Sequence, residues 1–370
     1  MKDIMMTEKI ISLGDICRIF TGKKDVNQTT KTGKYSFYSC SPNKLLSDEY
    51  LYDGEAIIIA GNGSYTGRVR YANEKFDLYQ RTYACVLKDE EENISTKYLY
   101  YYLKAKFEPR FIGGTRGSSI PYIVKGDISD FQIHLPSLEK QHEISSVLSN
   151  IDNKITNNIA INDNLFAQAK LLFNKEVSDV ATIPCEWKKG TLLDIATYTN
   201  GLAMQRFRPA DDEIGIPVLK IKELRQGFCD SASELCSPGI AEECLISDGD
   251  VIFSWSGSLL IDLWGGGVCG LNQHLFKVTS SKYPKWFYYL WTLHHLDKFI
   301  TIAADKATTM GHIKRGDLAQ AEVFIPSCDD INRIGRLISP IVDLMVANKV
   351  ESRKLELLRD RMLAKLIVKM

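Results

Sequence analysis

At 370 residues the chain is longer than a single ordinary core requires, and about two domains are expected from the usual roughly 100–200 residues per domain. A hydrophobic fraction of 45%, a charged fraction of 25% and a mean hydropathy of -0.14 exclude a disordered chain. Lys+Arg 46 balances Asp+Glu 46, so no global field draws the protein to nucleic acid or anionic membrane, and any such binding must come from local patches. The nine cysteines are odd in number, scattered and without a C-x-x-C pair, which argues against a disulfide scaffold or a zinc site. The first residues, MKDIMMTEKI, lack the apolar run of a signal peptide, and no stretch approaches the ~18 apolar residues of a membrane span. A reduced, cytoplasmic protein is expected.

Taken in chain order, the elements repeat. SLGDICRIFTG at Ser12–Gly22 returns as TLLDIATYTNG at Thr191–Gly201, with Asp15 over Asp194 and Gly22 over Gly201. DGEAII at Asp53–Ile58 returns as DGDVIF at Asp248–Phe253, and LYQR at Leu78–Arg81 as LNQH at Leu271–His274. YLYYYL at Tyr98–Leu103 faces WFYYLW at Trp286–Trp291, and IVKGDISDFQIHLP at Ile123–Pro136 faces IKRGDLAQAEVFIP at Ile313–Pro326, where the offset is 190. Five matches in one order, with offsets changing only in loops, indicate a tandem duplication. Glu55–Ala60, Thr82–Leu87, Phe131–Leu135, Asp250–Trp255 and Ala321–Ile325 read as strands. Lys97–Phe107 and Lys285–Ile300 read as aromatic-rich helices. Each globular part is therefore an α/β mixture, a mixed sheet with helices against it.

Each copy ends in a long helix. After Pro136, residues fall into alternating steps of four and three at Ile144, Leu148, Ile151, Ile155, Asn158, Asn162, Leu165, Ala169 and Leu172. Adding 190 reproduces the seam at Ile334, Ile338, Ile341, Met345, Asn348, Ser352, Leu355, Arg359 and Met362, polar interruption included. Helices of this kind would be about 50–60 Å long. Pseudo-two-fold closure lays the two seams antiparallel, with one globular domain at each end and the Asn/Ser positions near the middle. The expected division is a first domain at 1–137, a first heptad helix at 138–177, a second domain at 178–327 and a second heptad helix at 328–370.

Enzyme motifs fail on context. GNGSYTG at Gly61–Gly67 follows a strand but precedes the strand-like RVRYA, which predicts a hairpin and not a dinucleotide loop. GGTRGSS at Gly113–Ser119 lacks the G-K-[ST] ending of a phosphate loop, and the six histidines include no H-E-x-x-H; His294 and His295 read as surface or core of a helix. No catalytic or metal-binding residue is expected. Local charge is more informative, because Tyr100–Gly126 and Phe276–Gly316 are basic in both copies. On turns near these stretches lie groups that can contact phosphates and base edges. In the first domain they are Asn62, Ser64, Tyr65, Arg68, Gln80, Arg81, Arg116, Ser118, Ser119 and Lys125. In the second they are Gln205, Arg206, Ser254, Ser256, Gln273, His274, Lys306, Thr308, Thr309, His312, Lys314 and Arg315. They differ between copies, as expected if each domain reads a different DNA sequence on one scaffold.

The L-x-D-I…G starts at Leu13–Gly22 and Leu192–Gly201, the G-D-[IL] stretches at Gly126–Pro136 and Gly316–Pro326, and the heptad helices after them resemble the specificity subunit of type I restriction-modification enzymes over essentially the whole chain. The resemblance implies two target-recognition domains alternating with two antiparallel helices, and a non-catalytic subunit that reads a split, asymmetric site in double-stranded DNA. It implies docking of two DNA-methyltransferase subunits, with restriction subunits, where present, attached through them. S-adenosylmethionine, ATP and Mg2+ then belong to those partners, and this chain binds no cofactor. The same role in a two-component or orphan methylation system fits equally, and a coiled-coil scaffold that binds only proteins is the alternative from another class.

Overall fold

Runs of β-branched and aromatic residues between turns become the strands of the computed structural model, which describes residues 9–43, 45–89, 91–111, 121–179, 183–305 and 311–368. The chain divides into two compact units, Met1–Asn153 with Leu357–Met370, and Lys154–Glu356. This is a different cut from the chain-order division at 137/138, 177/178 and 327/328. The reason is packing: Leu363 and Ile367, near the end of the second long helix, sit in one core with Leu13, Tyr98 and Ile144.

In the first unit six strands are ordered Cys17–Thr21, Thr82–Leu87, Tyr52–Ala60, Val69–Leu78, Tyr35–Tyr38 and Leu45–Ser47. Neighbours are antiparallel except Tyr35–Tyr38 beside Val69–Leu78. The strand period of two sorts one segment between two cores. Ile57 and Ile59 join Tyr98, Leu99 and Tyr102 of the helix Thr96–Lys106, whereas Ala56 and Ile58 join Ala72, Phe76 and Ala84 on the opposite face.

The second unit carries a four-stranded sheet in the order Thr197–Asn200, Leu275–Thr279, Val251–Ser254 and Leu260–Leu263. A further four-stranded sheet, Leu235–Cys236, Ile216–Leu219, Cys269–Leu271 and Leu245–Ile246, draws mainly on the insertion of the second copy and has its own core around Val218, Cys236, Ile246 and Trp264. The aromatic helix expected over Lys285–Ile300 is instead two helices, Lys285–His294 and Leu296–Asp305. His295 breaks it: its ring stacks on Trp291 and its Nε2 lies 2.8 Å from the Glu322 carbonyl of the neighbouring strand. Burial lowers the pKa of both His294 and His295, so they are neutral packing groups near pH 7.

The repeated motifs have identifiable mechanical roles. Each domain opens on a strand that pairs antiparallel with the strand preceding the long helix, Lys9–Ser12 with Gln132–Leu135 and Lys188–Thr191 with Glu322–Ile325. The aspartates of the two G-D stretches cap a turn, Asp127 accepting from Val124 N–H at 2.9 Å and Asp317 from Lys314 N–H at 2.7 Å. At Gly22 a Cβ would lie 1.7 Å from the Leu78 carbonyl oxygen, and at Gly201 2.3 Å from that of Asn272. The glycine of the L-x-D-I…G motif is thus required by a close crossing of backbone. A Cβ at Gly316 meets nothing within 4 Å. Gly22→Ala should therefore lower unfolding free energy by about 2–4 kcal/mol, and Gly316→Ala by less than about 0.5 kcal/mol. Denaturant titrations showing equal loss for the two variants would contradict this assignment.

The long helices are Leu138–Phe173 and Cys328–Leu363, 36 residues each, and both continue into a π-helical turn, Asn174–Ser178 and Ala364–Val368. All four boundaries are related by 190. Of the seam residues, Ile144, Leu148, Ile151, Ile155, Ile334, Ile338 and Met345 are buried, and Leu165, Ile341 and Leu355 are half-buried. Ile144 and Leu148 belong to the first domain's core and Ile334, Ile338 and Met345 to the second's, so the seam serves domain packing as well as helix pairing. Beyond Ile338 the fully buried residue is Val342, not Ile341. Steps of four replace the heptad there because that stretch packs against a domain core.

The polar interruptions set the helix register. Asn158 Nδ2 donates to Glu351 at 2.7 Å and to Ser352 Oγ at 3.3 Å. Asn162 Nδ2 donates to the Met345 carbonyl at 3.0 Å, and its Oδ1 accepts from Asn348 at 2.9 Å. Pairing of rising with falling numbers makes the helices antiparallel. Asn158 is 1% exposed, and its Oδ1 is unpaired among the described residues, so this group favours one register at a cost in stability. Asn158→Leu should raise thermal stability, by roughly 1–2 kcal/mol, while broadening the oligomer distribution. Calorimetry with light scattering tests this, and a destabilised variant with an unchanged distribution would refute it.

Candidate nucleic-acid interface

In the first unit the strands Tyr52–Ala60 and Val69–Leu78 are joined by a hairpin, in which Gly67 N–H donates to the Ala60 carbonyl at 2.8 Å and Ala60 N–H to that of Arg68 at 3.0 Å. Gly63 and Gly67 have φ of 83 and 85 degrees, the left-handed region the turn needs. Three main-chain contacts bring this turn together with the segment before the G-D motif: Gly63 N–H to the Pro121 carbonyl at 3.1 Å, Ile123 N–H to that of Gly61 at 2.8 Å, and a bridge between Asn62 and Tyr122. Gly61 N–H also reaches the Arg81 carbonyl at 3.0 Å, which adds the Gln80–Arg81 turn to the same surface.

The second unit rebuilds these contacts with different side chains. Gly257 N–H donates to the Gly311 carbonyl at 2.9 Å, Ile313 N–H to that of Trp255 at 3.1 Å, and Ser256 bridges His312. The Gln80 N–H bond to the Lys24 carbonyl, at 2.9 Å, has its counterpart in Gln273 N–H to that of Leu202, also 2.9 Å. His274 thus occupies the place of Arg81, and His312 that of Tyr122.

Side chains tie these turns down or leave them free to act. In the first cluster Arg68 lies 4.7 Å from the Tyr65 ring centre, and both are exposed with Ser64 and Arg81. Gln80 is exposed but donates to Asp25 at 3.1 Å. Behind them Arg70 donates to the carbonyls of Ser39 and Ser41, and burial lowers its pKa from the ordinary arginine value. That fixes the loop from which Cys40 Sγ reaches Asn62 Oδ1 at 3.1 Å. In the second cluster Ser256 Oγ lies 3.0 Å from His274 Nδ1, with the Trp255 ring 6.1 Å from that of His274 and 6.4 Å from that of His312.

Sequence-predicted residues separate accordingly. Asn62, Ser64, Tyr65, Arg68, Gln80 and Arg81 converge, as do Ser256, Gln273, His274 and His312. Ser254 is fully buried and donates to the Ser256 carbonyl, so it supports the turn from within. Ser256 is also buried. Lys125, Lys314 and Arg315 are exposed at or beside the short helices Lys125–Ser129 and Arg315–Ala319 that follow the clusters. Gln205 and Arg206 are exposed on the turn Met204–Arg206, just after Leu202. Arg116, Ser118, Ser119, Lys306, Thr308 and Thr309 lie outside the described residues.

Tyr122, 45% exposed, and Trp255 were missed by sequence reasoning. Tyr122 was within reach, because the offset of 190 pairs it with His312; Cys40 carried no local signal. The clusters offer hydroxyls, amides, two guanidiniums and two imidazoles, the groups that pair with phosphates and base edges. Among the described residues no group of three or more His, Cys, Asp or Glu is placed to hold a metal ion, and no helix is long and apolar enough to cross a membrane.

Known proteins share both sequence and fold with this chain. Residues 6–165 match the type I restriction modification DNA specificity domain. The EcoDI specificity subunit of Escherichia coli is 36% identical over 143 residues, which are 39% of this chain and 31% of that subunit, so the match spans about a third of the relative. The MjaVIII specificity subunit of Methanocaldococcus jannaschii is 24% identical over 94% of this chain and 89% of its own length. The S subunit of the M. genitalium type I system has the same fold, with a TM-score of 0.62 at 17% identity over 99% of this chain and 98% of that one. Residues 6–165 thus carry the type I restriction modification DNA specificity domain, and over most of its length the chain is similar to specificity subunits of type I restriction enzymes in sequence and, by the M. genitalium subunit, in fold.

Proposed function

We propose that the chain is the non-catalytic reader of a split, asymmetric site in double-stranded DNA, each domain's loop cluster contacting one half-site. The observation that carries this reading is the pair of clusters held by equivalent main-chain bonds but carrying different side chains, Asn62, Tyr122 and Arg81 in one, Ser256, His312 and His274 in the other. One frame with two sets of donors and acceptors is what reading two different sequences requires. In this reading the exposed Lys125, Lys314 and Arg315 beside the clusters hold phosphates, and the neutral net charge keeps non-specific affinity low.

The domain division at 1–137, 138–177, 178–327 and 328–370 is the functional one in this reading, with the long helices spacing the half-sites and docking two methyltransferase subunits. Restriction subunits attach through those, S-adenosylmethionine, ATP and Mg2+ act on the partners, and the complex works in the cytoplasm. Arg81→Ala should reduce discrimination at bases of the first half-site by about 10–100-fold and leave the second unaltered, with His274→Ala doing the reverse. Methylome sequencing of cells carrying each variant with its methyltransferase reads this directly; both variants degrading both half-sites, or no split methylated motif in the parent, would reject the assignment. Four residues inserted after Asn158 should lengthen the spacer between half-sites with both half-site sequences kept. Altered base preference in that variant would show that helices and readers are not separate parts.

A further inference from the structure

The second unit holds an open groove of about 1000 Å³ at the start of its long helix, lined among others by Lys188, Lys282, Tyr283, Trp286, Ile331 and Arg336. The offset of 190 superimposes Ile331 on Gln141, and the local bonding agrees: Ile331 N–H donates to the Ser327 carbonyl and Gln141 N–H to that of Ser137, both at 2.9 Å. In the first copy the chain fills this place itself. Gln141 is 1% exposed, accepts from Ser95 N–H at 2.9 Å and donates to the carbonyls of Asn93 at 3.2 Å and Pro136 at 3.0 Å. Ile94 packs on the domain core alongside. Asn93 and Ser95 of this cover end the sequence DEEENIS, residues 89–95, an acidic run followed by one apolar residue.

The second copy lacks that cover. Between strand and helix it has only the five residues 280–284, against the eight residues 88–95 in the first, and it has lost the acidic run. The groove walls are cationic: Lys188 stands at the repeat position of Lys9, and Arg336 replaces Ser146 of the first copy. Lys188, Lys282 and Arg336 are exposed, face only Glu186 as a lining acid, and form no salt bridge among the described residues. Pro340, inside the helix, has no N–H, so the Arg336 carbonyl is left without its intrahelical donor. Gly335 lets the Trp286 indole approach closely, since a Cβ there would lie 3.1 Å from Nε1.

We propose that this groove is a docking site for an extended acidic peptide segment of a partner protein, with one apolar residue entering beside Ile331 and Tyr283 as Ile94 packs in the first copy. The groove and the DNA-facing turns use different residues, so this proposal and the DNA-reading function fail separately. The test is fluorescence anisotropy of the full chain with a labelled peptide of sequence Asp-Glu-Glu-Glu-Asn-Ile-Ser, beside a control in which the acids are replaced by their amides. Saturable binding is expected for the acidic peptide, weakened at least about tenfold for the amide control, for the exposed-site variant Lys282→Glu/Arg336→Glu, and for Ile331→Gln, which restores the side chain that plugs the first copy. No saturable binding, equal binding of the two peptides, or indifference to both variants would overturn the proposal. So would displacement of the peptide by a duplex oligonucleotide from the parent protein and from an Arg81→Ala/His274→Ala variant alike, which would make the groove a nucleic-acid surface.

Discussion

Each repeat is closed by the same short antiparallel pair, Lys9–Ser12 on Gln132–Leu135 and Lys188–Thr191 on Glu322–Ile325. Strands this short contribute little alone, but they force the chain to leave each domain where it entered. Leu13 N–H and Leu192 N–H then bond to the carbonyls of Phe131 and Ala321, so the first buried turn of each domain is anchored to the strand that leads into the long helix. Helix direction is thereby fixed by the domain that precedes it, and Ile144 and Ile334, early in the two helices, are already core residues. The heptad seam takes over only after this anchoring, at the asparagines where hydrophobic packing gives way to directional bonds.

Much of this was legible in the sequence because it rests on local chemistry repeated twice. The duplication showed through Asp15/Asp194, Gly22/Gly201 and the G-D stretches; Gly22 and Gly201 lie where backbone crosses too closely for a side chain, and Asp127, Asp194 and Asp317 cap turns. The helices showed through period, and their equal bounds at an offset of 190 follow from the same pattern. The hairpin at Gly61–Gly67 was readable from glycine spacing followed by an alternating strand.

What escaped depends on contacts far apart in sequence. The break at His295 is set by the Glu322 carbonyl, and the choice of Val342 over Ile341 by the core the helix lies on. Cys40 joins Asn62 only because Arg70 holds the intervening loop. Ser254 and Ser256 looked like surface hydroxyls in a polar turn, and the structure buries both. The insertion of the second copy, with its separate core around Trp264, announced itself only as a change of offset.

The turns of the two clusters are held in place by main-chain hydrogen bonds, and main-chain groups are the same whatever side chain they carry. A frame of this kind is indifferent to most substitutions at its own tips, since replacing Asn62, Tyr122, Ser256 or His312 leaves every one of those bonds chemically possible. Substitution at these positions therefore changes the groups that the turns present while keeping the bonds that hold the turns together. The shape of the surface and its chemistry are thus set by different groups, and one scaffold can carry many sets of side chains.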